Sequence, residues 1–383
     1  MNQICNRCIN DQTIPGIEFD KNGICNHCSV HENLCKTYPT GPSGQKILKD
    51  YLNKIKEKGQ NKKYNCVIGI SGGRDSTYTL YLAKKKWGLR PLAVHFNDGF
   101  GNPVAGENMK KATEILQIDT ITMSSDWRES KDIRVAFLKA STPDLNQGND
   151  LGIAATLYAA AVKYDIKSII IGQSFRTEGI APLVWNFLDG KYLKAVHKLF
   201  GKRKLSKWKP TDPGYNLGLY QMFYYSIIKQ LKVYMPLYFE NYIRDEASII
   251  ISKELKWENP GFHYYDDLYQ TLCSYILRKK FKIDRRIYNN SALVRSGQLK
   301  RSKALKLVSK PSKIEDPKVL NLCIKRLGLK QEEFENILRM DLKTFKDYPN
   351  NYYIIRFLKL PIWLLSRINM IPKVTFEKYF KLG

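Results

Sequence analysis

The stretch VIGISGGRDSTYTL, residues 67–80, joins an apolar run to a helical pattern through a turn rich in glycine and serine. Gly72 and Gly73 allow a tight turn whose backbone N–H groups face inward, and Ser71 and Ser76 add hydroxyl donors. A helix that begins near Ser76 directs the positive end of its dipole at the same place. A turn of this kind is typical of a phosphate-binding site.

The acid in this turn, Asp75, needs a separate explanation. A carboxylate beside a phosphate is tolerated when a divalent cation lies between the two anions. The chain contains neither the G-x-x-x-x-G-K-[ST] pattern of a Walker loop nor the G-x-G-x-x-G pattern of a dinucleotide fold. The turn therefore predicts that Asp75 holds Mg²⁺ against a triphosphate.

Apolar, β-rich runs alternate with helical stretches on both sides of this turn. The runs are YNCVIGI (64–70), LRPLAVHF (89–96), DTITM (119–123) and KSIIIGQ (167–173), with helices expected near 76–87, 104–117, 127–140 and 150–164. This rhythm indicates a parallel, Rossmann-like α/β sheet covered by helices on both faces. Ligands of such sheets bind beyond the carboxyl ends of the strands. The functional segments should therefore be SGGRDS (71–76), HFNDGFG (95–101) and GQSFRTEG (172–179).

Two cysteine pairs open the chain, CNRC at 5–8 and CNHC at 25–28. Two residues between thiolates let one turn aim both sulfurs at one ion, and the second pair completes a closed tetrahedron. Cys5, Cys8, Cys25 and Cys28 therefore predict a structural Zn²⁺ site. The fourth ligand is the least certain, because Cys35, His27 and His31 lie close by in sequence.

The charge of the chain is strongly positive and unevenly distributed. The formal net charge is +27, and residues 181–383 carry 39 Lys and Arg against 18 Asp and Glu. Such a surface suits an anionic partner, although a solvated basic surface explains it equally well. No secretion signal and no apolar run long enough for a membrane span are evident, which predicts a cytoplasmic protein.

The composition divides the chain into three parts. We expect a zinc-binding module at 1–40, an ATP-binding α/β domain at 41–180 and a mostly helical substrate or partner lobe at 181–383. Within that lobe, WENPGFHYYDDLY (257–269) contains His263 and Asp267, which suit sugar or metal contacts. Arg285 and Arg286 could bind phosphate or carboxylate, because guanidinium groups match those anions. For both segments, an ordinary structural role is equally compatible with the sequence.

The motif SGGRDS after a β-strand resembles the S-G-G-x-D-S signature of the PP-loop ATP pyrophosphatases, which cleave ATP between the α and β phosphates. The resemblance implies a fold of the adenine nucleotide alpha-hydrolase type, in which residues after the second strand approach adenine. Carried over by position, the ATP-binding residues are Ser71, Gly72, Gly73, Asp75, Ser76, His95, Phe96, Asn97 and Gly172.

Two PP-loop families with a cysteine-pair module are relevant. The tRNA thiolation enzymes are basic like this chain, but those of the iron–sulfur type carry a further C-x-x-C after the third strand. The corresponding segment here, ASTPDLNQGNDLGIAATLYAAA (140–161), contains no cysteine. Thiolation is therefore the alternative rather than the leading hypothesis.

The sequence more closely resembles the N-acetyl sugar amidotransferases of surface-polysaccharide (lipopolysaccharide, LPS) biosynthesis, along nearly its full length. The matching segments are 5–28, 69–77, 93–100, 169–174, 263–269 and 275–305. The resemblance implies conversion of an acetamido group on a nucleotide-linked sugar to an acetamidino group. ATP would activate the amide oxygen, and ammonia from solution or from a glutaminase partner would displace AMP.

Two residues are predicted to be catalytic in this reaction: Asp75 through Mg²⁺, and Glu178 by orienting or deprotonating ammonia. A third, non-enzymatic reading is a zinc-dependent RNA-binding module with a degenerate ATP site. The complete S-G-G-x-D-S signature argues against this third reading, and nucleic acid is not the expected partner of the leading hypothesis.

Overall fold

The computed structural model describes residues 3–206, 208, 216–261, 267–310, 316–367 and 371–382. These residues form a five-stranded sheet in which every pair of neighbouring strands is parallel. The strands are β1 (Cys66–Gly69), β2 (Pro91–Asn97), β3 (Thr120–Ser124), β4 (Ser168–Ile170) and β5 (Lys232–Tyr234). Their order in the sheet is β3-β2-β1-β4-β5.

This strand order confirms the predicted Rossmann-like fold. From β1 the chain first builds outward through β2 and β3, and then returns to place β4 on the other side of β1. Ligands of open α/β sheets bind at the point where the strand order reverses, beyond the carboxyl ends of the strands. Residues 70–76, which follow β1, lie at that point.

The helices of the first half cover the two faces of the sheet. They are α1 (Asn26–Thr37), α2 (Gly41–Lys58), α3 (Arg74–Tyr81), α4 (Pro103–Leu116), α5 (Trp127–Ala140), α6 (Gln147–Lys163), α7 (Phe175–Glu178) and α8 (Gly190–Phe200). The expected helices coincide with α3 to α6, and a short π-helical segment at Leu82–Lys86 extends α3. Two of these four helices, α4 and α5, have a side-chain N-cap. Asn102 accepts from Val104 N, and Asp126 accepts from Arg128 N.

The second half is mostly helical, as predicted. Its helices are α9 (Leu219–Phe223), α10 (Arg244–Leu255), α11 (Tyr269–Lys279), α12 (Arg285–Arg295), α13 (Arg301–Val308), α14 (Pro317–Arg326), α15 (Gln331–Arg339), α16 (Tyr352–Phe357), α17 (Lys359–Arg367) and α18 (Lys373–Lys381). The exception is β5, which completes the sheet although it lies beyond the predicted domain boundary at residue 180.

The core occupies both faces of the sheet. Consecutive residues of a strand point to opposite faces, so Val67 packs in one cluster with Phe137 and Tyr192, whereas Ile68 packs in another with Trp87. All five side chains are at most 3% exposed. None of the described helices combines the length and apolar composition that a membrane crossing requires.

Candidate active site

The turn between β1 and α3 can be formed only with glycine at position 72. Gly72 has a φ of +76°, in the left-handed region that L side chains rarely adopt. A Cβ atom at this position would lie 1.9 Å from the carbonyl oxygen of Ala105 in α4. The close approach of α4 therefore shapes the turn from one side.

Hydrogen bonds among its own residues hold the turn, including one between the hydroxyls of Ser71 and Ser76. Ser71 N–H donates to Ser76 Oγ (3.2 Å), Gly73 N–H donates to Ser71 Oγ (3.4 Å), and Ser76 Oγ–H donates to the carbonyl of Gly73 (3.2 Å). Helix α3 begins here without a side-chain cap. The first N–H groups of a helix have no acceptor within the helix, so this end of α3 suits an anion such as phosphate.

Asp75 lies in the first turn of α3 and is 7% exposed. Its Oδ1 accepts from Arg74 Nε at 2.9 Å and from the hydroxyl of Tyr242. Burial and the neighbouring carboxylate raise the pKa of Tyr242 well above its usual value, so the hydroxyl remains a donor. A carboxylate is the type of oxygen ligand that Mg²⁺ prefers, and the chemistry of Asp75 therefore fits the predicted magnesium role. That role stays a prediction.

Two side chains from outside the turn support it, one from α4 and one from the second half, and neither was predicted as a site residue. Trp257 Nε1 and Asn108 Nδ2 both donate to the carbonyl of Gly72, at 2.9 and 3.2 Å. Asn108 also exchanges hydrogen bonds with the backbone of Glu258. Trp257 opens the polar stretch 257–269, which was the available signal, but only the fold shows that its indole contacts the glycine turn.

The residues expected near adenine point in different directions. His95 Nδ1 lies 3.1 Å from the carbonyl of Ile70 and donates to it, and burial lowers the pKa of His95, which keeps the ring neutral. Asn97 is exposed at the end of β2. Phe96 packs instead in the core, with its ring against Gly152 of α6. A Cβ atom added at Gly152 would lie 2.4 Å from that ring. His95 and Asn97 are therefore better placed than Phe96 to contact a ligand.

The segment after β4 lies against α3. A Cβ at Gly172 would come within 2.5 Å of Thr79 Oγ1 and 2.9 Å of the carbonyl of Asp75. Gly172 therefore lets β4 and the glycine turn meet at the same edge of the sheet. Glu178 ends the short helix α7, which Ser174 caps, and it is half-buried. The predicted roles of Gly172 and Glu178 are compatible with these positions.

The predicted substrate residues have structural contacts. Asp267 Oδ1 accepts from Tyr269 N at the start of α11, and its backbone pairs with Gly101 in the loop after β2. Arg286 forms a bidentate ion pair with Asp284. It also donates to the backbone carbonyls of Val308 and Lys310. Arg285 donates to Gln270.

These contacts show how each side chain is held, and a substrate role for Asp267, Arg285 and Arg286 stays a prediction. His263 lies outside the described residues.

Four thiols meet at the N-terminus. The Sγ atoms of Cys5, Cys8, Cys25 and Cys28 lie within 4.8 Å of one another, and all four residues are buried. The Cys8–Cys25 and Cys25–Cys28 distances are 3.7 Å, and the Cys5–Cys28 distance is 3.8 Å. Zn–S bonds of about 2.3 Å place tetrahedral sulfurs about 3.8 Å apart. The cluster therefore has the size of a four-thiolate zinc site, and the identity of the metal stays a prediction.

The alternative ligands take a different place. His31 and Cys35 contact each other, with Nε2 3.5 Å from Sγ. The ring of His27 packs edge-on against Tyr288. The structure thus groups the four cysteines of the two pairs together as a candidate metal site.

The cysteine cluster is docked onto α12 and α13. Arg301 donates to the carbonyls of Cys5 and Cys8, and Ile9 N–H donates to Ser291 Oγ. Arg295 NH1 lies 3.6 Å from Cys8 Sγ, where its charge complements a thiolate. The N-terminal module therefore packs on the C-terminal helices.

Comparison with known proteins assigns part of the chain. Residues 250–360 match the family described as "LPS biosynthesis protein WbpG-like, C-terminal domain". An uncharacterized protein of Methanocaldococcus jannaschii is 24% identical over 330 residues, which cover 85% of this chain and 99% of that protein.

Three solved structures have a low overall similarity, each at 14% identity. They are an NMN synthetase from Francisella tularensis (TM-score 0.30, covering 78% of this chain and 98% of that one), an NH3-dependent NAD synthetase from Campylobacter jejuni (0.32, 78% and 98%) and the U34-tRNA thiolase NcsA from Methanococcus maripaludis (0.32, 86% and 100%).

The matched segment, 250–360, includes Trp257, which contacts the glycine turn, and Arg295 and Arg301, which contact the cysteine cluster. The segment that matches this family thus contacts both candidate sites. Residues 250–360 of this chain are therefore similar to the C-terminal domain of WbpG-like LPS biosynthesis proteins.

Proposed function

We propose that the protein is an ATP-dependent amidotransferase, which converts an N-acetyl group of a nucleotide-linked sugar to an acetamidino group. ATP and Mg²⁺ would bind at the turn of residues 71–76. The observation that carries the proposal is the contact of Trp257, in the WbpG-like segment, with the carbonyl of Gly72. This contact brings a segment shared with LPS biosynthesis proteins against a turn whose chemistry suits a polyphosphate.

The reaction needs activation because an amide oxygen is a poor leaving group. In the proposed first step, the acetamido oxygen attacks the α-phosphorus of ATP and pyrophosphate leaves. In the second, ammonia adds to the imidate carbon, and AMP departs with the former amide oxygen. The added nitrogen loses its surplus protons to a base, for which Glu178 is the candidate. The bound Mg²⁺ would lower the negative charge on the phosphates.

The chain's own residues have defined tasks in this scheme. The turn and the start of α3 would hold phosphate oxygens through backbone N–H groups. Asp75 would hold the Mg²⁺, with Arg74 and Tyr242 fixing the orientation of its carboxylate. A glutaminase partner is one proposed source of the ammonia, and ammonia from solution is the other.

The deciding experiment measures pyrophosphate release with ATP, Mg²⁺ and ammonia. An acetamido sugar nucleotide should stimulate release, tRNA should not, and mass spectrometry should show the small decrease expected when oxygen is replaced by NH. Asp75→Asn should abolish release, whereas the exposed surface change Asp245→Asn should not. Stimulation by tRNA alone would refute the proposal in favour of a tRNA-modifying enzyme.

A narrower test concerns Glu178. If it acts on ammonia, Glu178→Gln should leave pyrophosphate release intact while slowing amidine formation. A Glu178→Ala enzyme that forms the amidine at the normal rate would remove Glu178 from the mechanism without affecting the rest of the proposal.

A further inference from the structure

A cavity lies between the N-terminal module and α12. Its volume is about 540 Å³, and its wall includes Arg7, Lys36, Thr40, Arg176, Tyr242 and Arg295. It is therefore formed by three separate parts of the chain: the segment around α1, the segment after β4, and the helices of the second half. One residue with a role at the glycine turn, Tyr242, also lines this cavity.

The wall carries a surplus of positive charge. Its two acids already have cationic partners, since Glu32 pairs with Arg7 and Glu240 accepts from Lys86 Nζ at 2.8 Å. Glu240 also accepts from Trp87 Nε1 at 3.0 Å. Lys36 and Arg176 therefore remain as cations of this wall that no acid of the wall neutralises, and Arg295 adds a guanidinium that also faces Cys8 Sγ.

Arg295 gives the clearest indication of a ligand. The residue is only 8% exposed, and NH1 faces Cys8 Sγ. Its buried Nε has no hydrogen-bond partner among the described residues. A buried donor without an acceptor costs about 1–3 kcal/mol, and a ligand oxygen would remove that cost.

Arg176 forms a second, rigid part of the wall. It is 9% exposed, and it donates from NH1 to the carbonyl of Tyr238 (2.7 Å) and from NH2 to the carbonyl of Tyr38 (2.6 Å). Its guanidinium also lies over the ring of Phe175, 4.5 Å from the centroid. Two neutral carbonyls fix its position and leave its charge uncompensated.

We propose that this cavity binds an oxyanion, a phosphate or a carboxylate, with Arg295 as the principal donor and Arg176 and Lys36 supplying positive charge. Guanidinium groups match the planar, two-oxygen edge of both anions. Tyr242 lines the cavity and donates its hydroxyl to Asp75, so the bound group would lie one side chain from the glycine turn. The oxyanion would belong to the substrate, either to its diphosphate or to an acidic sugar, and only this assignment rests on the function proposed above.

Thr40 offers a test that leaves the cysteine cluster untouched. It precedes α2, its side chain makes no capping hydrogen bond, and it lines the cavity. Thr40→Glu would place a negative charge in the cavity, and Thr40→Gln adds the same bulk without the charge. Loss of a charged hydrogen-bond partner typically costs about 1.5–3 kcal/mol, so we expect Arg295→Gln to weaken binding by at least about tenfold. We expect a similar loss for Thr40→Glu, because its carboxylate would repel the bound anion.

Binding is measured by isothermal titration calorimetry on the full-length, zinc-loaded protein without ATP, using inorganic phosphate, UDP and glucuronate as separate probes. Preference for phosphate and UDP identifies a diphosphate source, and preference for glucuronate identifies a carboxylate. Zinc content and melting temperature are measured for each variant, so that a structural effect of Arg295→Gln is recognised.

The proposal is overturned if no probe binds the wild-type protein, or if Thr40→Glu binds as tightly as Thr40→Gln. Both results are independent of pyrophosphate release, which tests the proposed function. An enzyme that releases pyrophosphate but fails this binding test would refute the oxyanion cavity alone.

Discussion

Replacement of Gly72 by alanine tests the geometry of the turn most directly. The added Cβ would lie 1.9, 2.6 and 2.8 Å from the O, C and Cα atoms of Ala105. All three are backbone atoms within α4, so no side-chain rotation can relieve the overlap. Either α4 or the turn must move.

The magnitude follows from two contributions. A non-glycine residue in the left-handed region costs about 1–2 kcal/mol. A displaced turn also weakens the hydrogen bonds from Trp257 and Asn108 to the carbonyl of Gly72, each worth about 0.5–1.5 kcal/mol. We therefore expect Gly72→Ala to lower the free energy of unfolding by about 2–5 kcal/mol.

The assay is urea unfolding of the purified protein, with the midpoint and slope compared between variants. Gly106→Ala is the matched control, because Gly106 lies in α4 and a Cβ there would meet nothing within 4 Å. Alanine at this helical position should stabilise by up to about 1 kcal/mol. If Gly72→Ala unfolds at the same urea concentration as wild type, the close approach of α4 described here is wrong.

Three further predictions concern other parts of the molecule. Cys8→Ser should lose the bound metal and Cys35→Ser should retain it, as elemental analysis will show; equal loss would contradict the four-cysteine assignment. Tyr242→Phe should destabilise the protein by about 1–3 kcal/mol because Asp75 loses a donor, whereas Tyr220→Phe, at a residue 76% exposed, should not. Burial raises the pKa of Asp144 to about 7 from a usual 3.8. The folded state therefore keeps this carboxyl group protonated up to a higher pH than the unfolded state does. Its contribution to stability should be fully present below about pH 4 and lost as pH rises to 7, and Asp144→Asn should flatten that part of the curve of unfolding free energy against pH.

Patterns that are local in sequence predicted most of the fold. Helices α3 to α6 and strands β1 to β4 follow from the alternation of apolar, β-rich runs with helical stretches along the chain. Strand β5, of only three residues, follows an aromatic, lysine-rich stretch and has no such pattern. It becomes a strand because β4 offers a free edge, with Ser168 beside Lys232 and Ile170 beside Tyr234.

Some features of the candidate site were likewise predictable from the sequence, and others were not. The glycine turn and the cysteine pairs depend on close spacing in the chain, which a sequence displays directly. Trp257, Tyr242 and Arg295 reach their partners from 167 to 287 residues away. No local pattern marks such contacts, and Phe96, which adjoins His95 in sequence, turns into the core because neighbouring strand residues face opposite sides.

The sequence by itself determined the Rossmann-like sheet, the glycine turn and the cysteine cluster, because each is encoded by residues whose spacing fixes their chemistry. The tertiary structure alone decided that α4 shapes the turn, that the C-terminal helices bind the cysteine module, and that buried arginines line a cavity beside Asp75. Those features depend on packing between distant segments, where the burial of charge and apolar surface, rather than local spacing, selects the contacts.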